Sequence, residues 1–316
     1  MRVLVSGGAG FIGSAVMDAL RACGHDAVAV DDLSTGSRAN LLPAYRLVVA
    51  DISDRHALTR AFAGERFDAI VHCAAKTKVV ESIAHPADYH RVLVVGTKAM
   101  LRLAADVGAK CFVNISTGGA MYGETRSPAN EGTPPAPTSP YGAFKLLAED
   151  FVSMTAALRT VTLRLANVYG PRQRTDLEGG VVSIFMDRWR ARQPITVFGD
   201  GSAVRDYVFV EDVAAAVLSA LRSEVRGIFN IGTGRGVSVN ELIEILGASL
   251  GPPAGVRNEP ARASELRRAV LDPSKALRVG LLRSPTRLEE GIARTLSAVA
   301  PPVPIDEPQL VSPSGV

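Results

Sequence analysis

The chain has 316 residues; 47% are hydrophobic and 21% charged, and 35 basic against 32 acidic side chains give a formal net charge of +3. That length suggests two domains, or one large α/β unit with an attached lobe, and it buries a core without disulfides or metals. The near balance of charge excludes an electrostatic nucleic-acid binder as the first reading, and the ordinary composition excludes a disordered chain.

Met1–Ser6 is a short apolar run with one Arg that leads straight into Gly7-Gly8-Ala9-Gly10. It is too short for a secretory signal, and no stretch reaches the apolar length that spans a bilayer. A cytoplasmic, soluble chain with no membrane partner is expected. Arg2–Ser6, Ala27–Val30, Leu47–Ala50, Ala69–His72, Cys111–Ser116 and Val161–Ala166 are apolar without alternation, which predicts parallel strands covered on both faces. Between the first two, Ile12, Ala15, Val16, Ala19 and Leu20 keep helical spacing; Val92–Val107 and Tyr141–Leu158 predict two further helices. Strands separated by helices imply right-handed βαβ units and a doubly wound parallel α/β sheet over residues 1–168.

After about Gly170 the rhythm changes. Val181–Arg192 predicts a helix, Ile195–Phe198 a strand and Asp212–Leu221 a helix, while Ser238-Val-Asn-Glu241 and Thr286-Arg-Leu-Glu289 read as capping boxes. Residues 169–299 read as a smaller C-terminal α+β substrate lobe, some of whose elements return to the first domain. Residues 300–316 are Pro-rich and aperiodic and read as a disordered tail. Cys23, Cys73 and Cys111 are far apart and odd in number, which suggests reduced core thiols; the five histidines are scattered, so no metal site is expected.

Gly7-x-x-Gly10-x-x-Gly13 sits between the first strand and the first helix. Glycine there allows a positive φ and lets the backbone approach a pyrophosphate, which the helix N-terminus then attracts. This predicts a Rossmann-type dinucleotide site. Asp31, at the end of the second strand, is placed for a ribose hydroxyl pair and repels a 2′-phosphate, so it favours NAD over NADP; Arg38 nearby could soften that preference. Asp51-Ile52 after the third strand could cradle the adenine, and Asp51 could equally cap a helix.

Tyr141-Gly-Ala-Phe-Lys145 puts a phenol and an ammonium one helical turn apart. A neighbouring cation favours the phenolate, which makes Tyr141 a candidate acid or base near neutral pH. Ile115-Ser116-Thr117 ends an apolar strand, and ligands bind beyond the carboxyl ends of such strands. Either hydroxyl could hold a substrate oxygen.

Further stretches are SGGAGFIGS (6–14), ISTGGAMYGE (115–124), SPYGAFK (139–145), LRLANVYGPRQ (163–173), VFGDGSAVRDYVFVEDV (197–213) and FNIGTG (229–234). Through them the sequence resembles the extended short-chain dehydrogenase/reductases, and more narrowly the UDP-glucose 4-epimerase group of nucleotide-sugar epimerases, from Met1 to about Ala298. The resemblance implies NAD as cofactor, a homodimer formed through two helices per subunit, and inversion at C4 of a UDP-hexose through a 4-keto sugar. Tyr141 and Lys145 match the family's catalytic pair, and Thr117 best matches its catalytic hydroxyl, with Ser116 as a substitute. Phe11 and Ile12 match pyrophosphate contacts, and Asp32, Ala74 and Ala75 further cofactor contacts. Asn167 matches a substrate contact. Arg205 matches the arginine that grips the UDP diphosphate, for which a planar fork suits. Arg262 and Glu265 match later contacts to the diphosphate and uridine ribose, and Ala269 a position that limits the sugar's C2 substituent.

The sequence also departs from the pattern. Four residues, Gly118–Met121, separate Thr117 from Tyr122 where many members have three. Glu265 replaces the usual Asp, and Leu93 stands where many members have Asn. The competing readings are a nucleotide-sugar 4,6-dehydratase, a UDP-glucuronate 4-epimerase, and a non-catalytic NAD-binding regulatory protein. In the dehydratases an Asp-Glu pair follows the catalytic Thr; Gly118-Gly119 here transfers no proton.

Overall fold

The apolar runs of the first half form parallel strands β1 (Arg2–Ser6), β2 (Asp26–Asp31), β3 (Arg46–Val49), β4 (Ala69–His72), β5 (Cys111–Thr117) and β6 (Arg159–Leu165). Shorter strands follow: β7 (Asn167–Tyr169), β8 (Ile195–Phe198), β9 (Val204–Phe209), β10 (Gly227–Ile231), β11 (Gly236–Ser238), β12 (Val256–Glu259) and β13 (Arg268–Ala269). The helices of the first half are α1 (Phe11–Ala22), α2 (Arg55–Ala61), α3 (Val79–Ala84), α4 (Pro86–His90), α5 (Thr97–Asp106) and α6 (Pro140–Ser153). Those of the second are α7 (Thr175–Glu178), α8 (Val181–Arg190), α9 (Val210–Arg222), α10 (Val239–Leu250), α11 (Ser274–Arg278) and α12 (Leu288–Ala298). This computed structural model describes residues 1–178, 180–261 and 266–298.

The main sheet is parallel and seven-stranded, in the order β3-β2-β1-β4-β5-β6-β10. It is the doubly wound Rossmann-type sheet. Successive residues of β1 enter different cores, which is why the run does not alternate. Val3 and Val5 pack with Val16 and Leu20 of α1 and Val213 and Val217 of α9. Leu4 packs on the opposite face with Met100 and Leu103 of α5. The strand order reverses at β1, whose neighbours are β2 and β4. Such a switch point leaves a crevice beyond the strand ends.

Beyond residue 169 the chain divides its elements. Strand β10 lies beside β6 in the main sheet, and α9 packs on α1. A second sheet runs β11-β9-β13, with β7 also on β9, and β8 pairs β12. Strand β7 starts two residues after β6 ends, so one extended segment passes from the large sheet into the small one.

Several expectations change in detail. The expected Val92–Val107 helix is α5 preceded by a π-helical turn, Arg91–Gly96, in which a Cβ on Gly96 would lie 2.6 Å from Ile52 Cδ1. Ser238 caps α10 by accepting from Glu241 N, but the Glu241 carboxylate reaches Arg235 and closes no box. Thr286 opens no box either. Its N–H and hydroxyl both donate to the Asp212 carboxylate, at 2.7 and 2.9 Å, and α12 begins at Leu288. Of the three thiols only Cys111 is buried; Cys73 is half-buried and Cys23 exposed after α1. No described helix is long and apolar enough to cross a membrane. Residues 300–316 lie outside the described residues.

Candidate active site

The glycine loop fills the end of the switch-point crevice because nothing larger fits. Gly7 has φ +67°, and a Cβ there would sit 2.7 Å from the Ala74 backbone beyond β4. A Cβ on Gly13 would sit 2.0 Å from Gly7 O. These contacts bring α1 down onto the strand ends. Gly10 precedes α1 with no side-chain cap and no acid in the first turn. The first-turn N–H groups of Phe11, Ile12 and Gly13 have no intrahelical acceptor, and the dipole makes that end positive. This is a cradle for a pyrophosphate.

A cavity of about 460 Å³ opens there, a volume typical of cofactor sites. It brings together Gly7, Gly10, Phe11, Ile12, Gly13, Asp31, Asp32, Asp51, Ile52, Ala74 and Ala75, every expected cofactor residue outside the catalytic pair. The Asp31 carboxylate accepts from Ala9 N at 3.0 Å and Leu33 N at 2.9 Å. Burial raises its carboxyl above the usual range against those bonds. A Cβ on Gly36 would sit 2.7 Å from it, so the Asp31 side is closely walled. Arg38 is exposed and outside the cavity lining. Burial also raises the Asp51 carboxyl, but hydrogen bonds from Ser53 and Arg91 outweigh it and hold the group low. Asp51 caps no helix; Asp54 caps α2.

The cavity also has walls that the sequence reading missed. Arg91 reaches Asp51 from the π-helical turn. Arg172 and Arg174 come from the segment after β7; Arg172 bonds Asp18 Oδ2 of α1 at 2.5 Å and Asn40 O at 2.9 Å. Lys76 pairs with Glu81 at 3.0 Å and lies over the Tyr89 ring. No local pattern marks these residues, because their positions follow from tertiary approach.

Helix α6 places the expected catalytic pair. Ser139 Oγ accepts from Gly142 N and Pro140 occupies the first turn, so the helix starts just before Tyr141. Tyr141 is buried against Tyr89 and Leu93, and its N–H donates to Ser82 Oγ at 3.2 Å. Leu93 thus sits in an apolar contact with the phenol ring. Lys145, one turn later, donates to Ile115 O of β5 at 2.9 Å. Burial brings its ammonium down to about 8, against the opposing influence of Cys73 and Glu149. Burial also pushes the facing Cys73 thiol up to about 12. Neither Tyr141 nor Lys145 lines the cavity itself; Tyr89 and Cys73, which they face, do.

The two candidate hydroxyls separate. Ser116 is buried and its Oγ donates to Glu149 Oε1 at 2.5 Å. Thr117 ends β5, half-buried, and accepts from Ala120 N at 3.3 Å. The substrate candidates share the small sheet. Asn167 opens β7, opposite Tyr207 of β9, and Arg205 of β9 is paired with Ala269 of β13. Arg205 donates to Val204 O at 2.9 Å. Of the neighbouring acids, Asp206 binds Thr233, Gly234 and Leu271, and Glu211 pairs with Arg294. Arg262 and Glu265 lie outside the described residues.

Residues 3–232 match the model of the NAD dependent epimerase/dehydratase family. The chain belongs to that family. It is 40% identical over 306 residues to a UDP-glucose 4-epimerase of Mycolicibacterium smegmatis, covering 94% of this chain and 97% of the relative. It is similar, at a TM-score of 0.91 and 38% identity, to the crystal structure of a Thermotoga maritima UDP-glucose 4-epimerase with UDP-glucose, covering 94% and 98% of the two chains. A Thermus thermophilus UDP-glucose 4-epimerase in complex with NAD superposes at a TM-score of 0.89 and 38% identity, with the same coverage.

Behind the site a buried hydrogen-bond chain fixes the strand ends. Thr97 Oγ1 donates to Leu93 O at 2.6 Å and so accepts from His72 Nε2 at 3.0 Å. His72 Nδ1 then accepts from Ser6 Oγ at 2.7 Å, which leaves the imidazole neutral. Burial and Lys145 lower its pKa from 6.5 to about 3. The unfolded imidazole binds a proton below 6.5 that the folded one refuses until about 3, so stability is lost as pH falls through that window. At pH 5 this one group should cost about 2 kcal/mol relative to pH 7. Urea unfolding of the parent and of His72→Gln at both pH values, at equal cofactor content, checks it; the variant should show the smaller loss.

Proposed function

We propose that this chain is an NAD-dependent nucleotide-sugar 4-epimerase, of the UDP-glucose/UDP-galactose type and with room for an N-acetylated sugar. The observation that carries the reading is the placement of Tyr141 and Lys145. They lie one turn apart on α6, with Lys145 fixed to the strand that ends in Thr117, beside a cavity floored by the glycine loop. The residues present fit a dinucleotide: the first turn of α1 for the pyrophosphate, Asp31 for a ribose and Asp51 with Ile52 for the adenine. When bound, NAD supplies reversible hydride acceptance at the sugar's C4.

The chain's own groups do the rest. Tyr141 takes the 4′-hydroxyl proton and later returns it to the opposite configuration. Thr117 donates a hydrogen bond to the same oxygen. The Lys145 ammonium supplies the positive charge that favours a phenolate one turn away. Arg205 grips the diphosphate and Asn167 contacts the sugar side, so remote binding energy holds the nucleotide while the 4-keto sugar turns. Arg262 and Glu265 are proposed as further diphosphate and ribose contacts.

The dehydratase reading needs proton-transferring side chains after Thr117. A Cβ on Gly118 would sit 2.5 Å from Leu271 Cδ1, and one on Gly119 3.2 Å from Asn167 Oδ1. Side chains at these two positions would have to displace Leu271 and Asn167, and the glycines present transfer no proton. A non-catalytic reading leaves the buried, downshifted Lys145 without purpose.

The purified protein should convert a UDP-hexose, without added NAD, to a product of unchanged mass and altered chromatographic retention. Tyr141→Phe should retain cofactor and lose about 10²–10⁴-fold in kcat. Loss of water from the sugar, or no conversion of UDP-glucose, UDP-N-acetylglucosamine or UDP-glucuronate even with NAD added, would overturn the reading. Ala269→Tyr should selectively abolish turnover of the N-acetylated sugar; equal loss on both substrates removes the role given to that position. The chain is further proposed to pair with a second copy through α5, its preceding turn and α6, where Val95, Leu147 and Met154 are exposed. Leu147→Asp should shift the sedimentation coefficient from dimer to monomer.

A further inference from the structure

A buried polar chain starts one residue before Thr117 and takes no part in the chemistry above. Ser116 Oγ donates to Glu149 Oε1 at 2.5 Å. Arg164 of β6 grips the same carboxylate through Nε, at 3.1 and 3.0 Å, and through Nη2, at 2.6 Å. Its Nη1 donates to the Tyr122 hydroxyl at 2.9 Å, which donates to Asn230 Oδ1 of β10 at 2.8 Å. Asn230 Nδ2 closes the chain on Ala129 O at 2.8 Å. Glu149, Arg164, Tyr122 and Asn230 are 2%, 3%, 3% and 0% exposed.

Holding α6 against the sheet does not require these charges. Burying each ion carries a desolvation penalty, and apolar residues of similar volume often serve a core as well or better. The position of the pair matters more. Ser116 and Tyr122 bracket the segment that carries Thr117, Gly118 and Gly119, and the network holds both ends. Glu149 lies one turn after Lys145 on α6. The groups that act on that ammonium are His72 at the end of β4, Cys73 just beyond it, Glu149 from α6 and the Ile115 carbonyl from β5, with Arg164 behind Glu149 and Asp31 acting on Cys73. His72 and Cys73 are neutral near pH 7, so among those groups Glu149 is the negative charge that acts on the ammonium.

We propose that Glu149, clamped by Arg164 and Tyr122, is a positioning residue: it fixes the Thr117 segment and supplies the negative charge that faces Lys145. This rests on the epimerase reading for the roles of Thr117 and Lys145. Glu149→Gln removes a charge that opposes the burial of the ammonium and leaves Arg164 unpaired behind it. Both changes make Lys145 lose its proton at lower pH.

Two measurements separate this proposal from the reading beneath it. The pH profile of kcat on a UDP-hexose follows turnover, and ¹⁵Nζ NMR titration of Lys145, assigned with Lys145→Met, follows the ammonium whether or not the chain turns over. In Glu149→Gln the basic midpoint should move down by about one pH unit in both, with kcat at least tenfold lower and KM within twofold of the parent. In Tyr122→Phe, kcat should fall severalfold with the midpoint unmoved. An inactive parent with a shifted Lys145 midpoint counts against the epimerase reading and for the charge role of Glu149. A folded Glu149→Gln with parental NMR midpoint and parental kcat overturns the proposal; if that variant does not fold, a Tyr122→Phe protein with parental kcat overturns it.

Discussion

Between the ends of β1 and β4 there is no room for a side chain. The Gly7 backbone approaches Ala74 so closely that a Cβ would lie 2.7 Å from it, and Gly13 must sit on the Gly7 carbonyl. This constraint places the N-terminus of α1, with its unbonded N–H groups, over the switch point of the sheet. The cavity, the reach of Asp31 from β2 and the approach of Arg91 and Arg172 all follow from it. One added methyl group would move a whole helix, because the obstacles are backbone atoms that have nowhere to go.

The second organising fact is how charge is managed where β4 and β5 end. His72 is kept neutral within a directed chain from Ser6 to Leu93, and Cys73 stays a thiol. Lys145 therefore stands as a buried cation between neutral neighbours and a carboxylate on its own helix. Its downshift to about 8 follows from burial that these neighbours offset only in part. A lysine on an exposed helix face would have no such environment. The ionisation of Lys145 is set by packing rather than by any single contact.

Much of this was legible in the sequence, for identifiable reasons. Short apolar runs without alternation report burial on both faces, and all six became strands of one sheet. The glycine loop, Asp31 and Asp51-Ile52 were legible because each sits at a fixed place relative to a strand end. What failed was local bonding with a tertiary competitor. Thr286 has the sequence of a cap, yet Asp212, 74 residues away, takes both its donors. Ser116 and Thr117 look equivalent in sequence; Glu149 distinguishes them by engaging one. Arg91, Arg172 and Lys76 line the cavity only because separate segments converge there, and no spacing rule encodes that.

The two sheets divide the labour in a way that bears on the reaction. Thr117 and the α6 pair belong to the large sheet, Asn167, Arg205 and Ala269 to the small one, and a single residue, Ala166, separates β6 from β7. The buried Asp206 carboxylate ties β9 to the Thr233, Gly234 and Leu271 backbones, so the small sheet is held firmly where Arg205 leaves it. The distance between Arg205 and the Thr117 hydroxyl, the grip and the hydrogen-bond donor of the proposed reaction, is thereby set by covalent chain and buried hydrogen bonds. A rigid nucleotide anchor suits the proposed epimerisation, in which the sugar must present two faces without leaving.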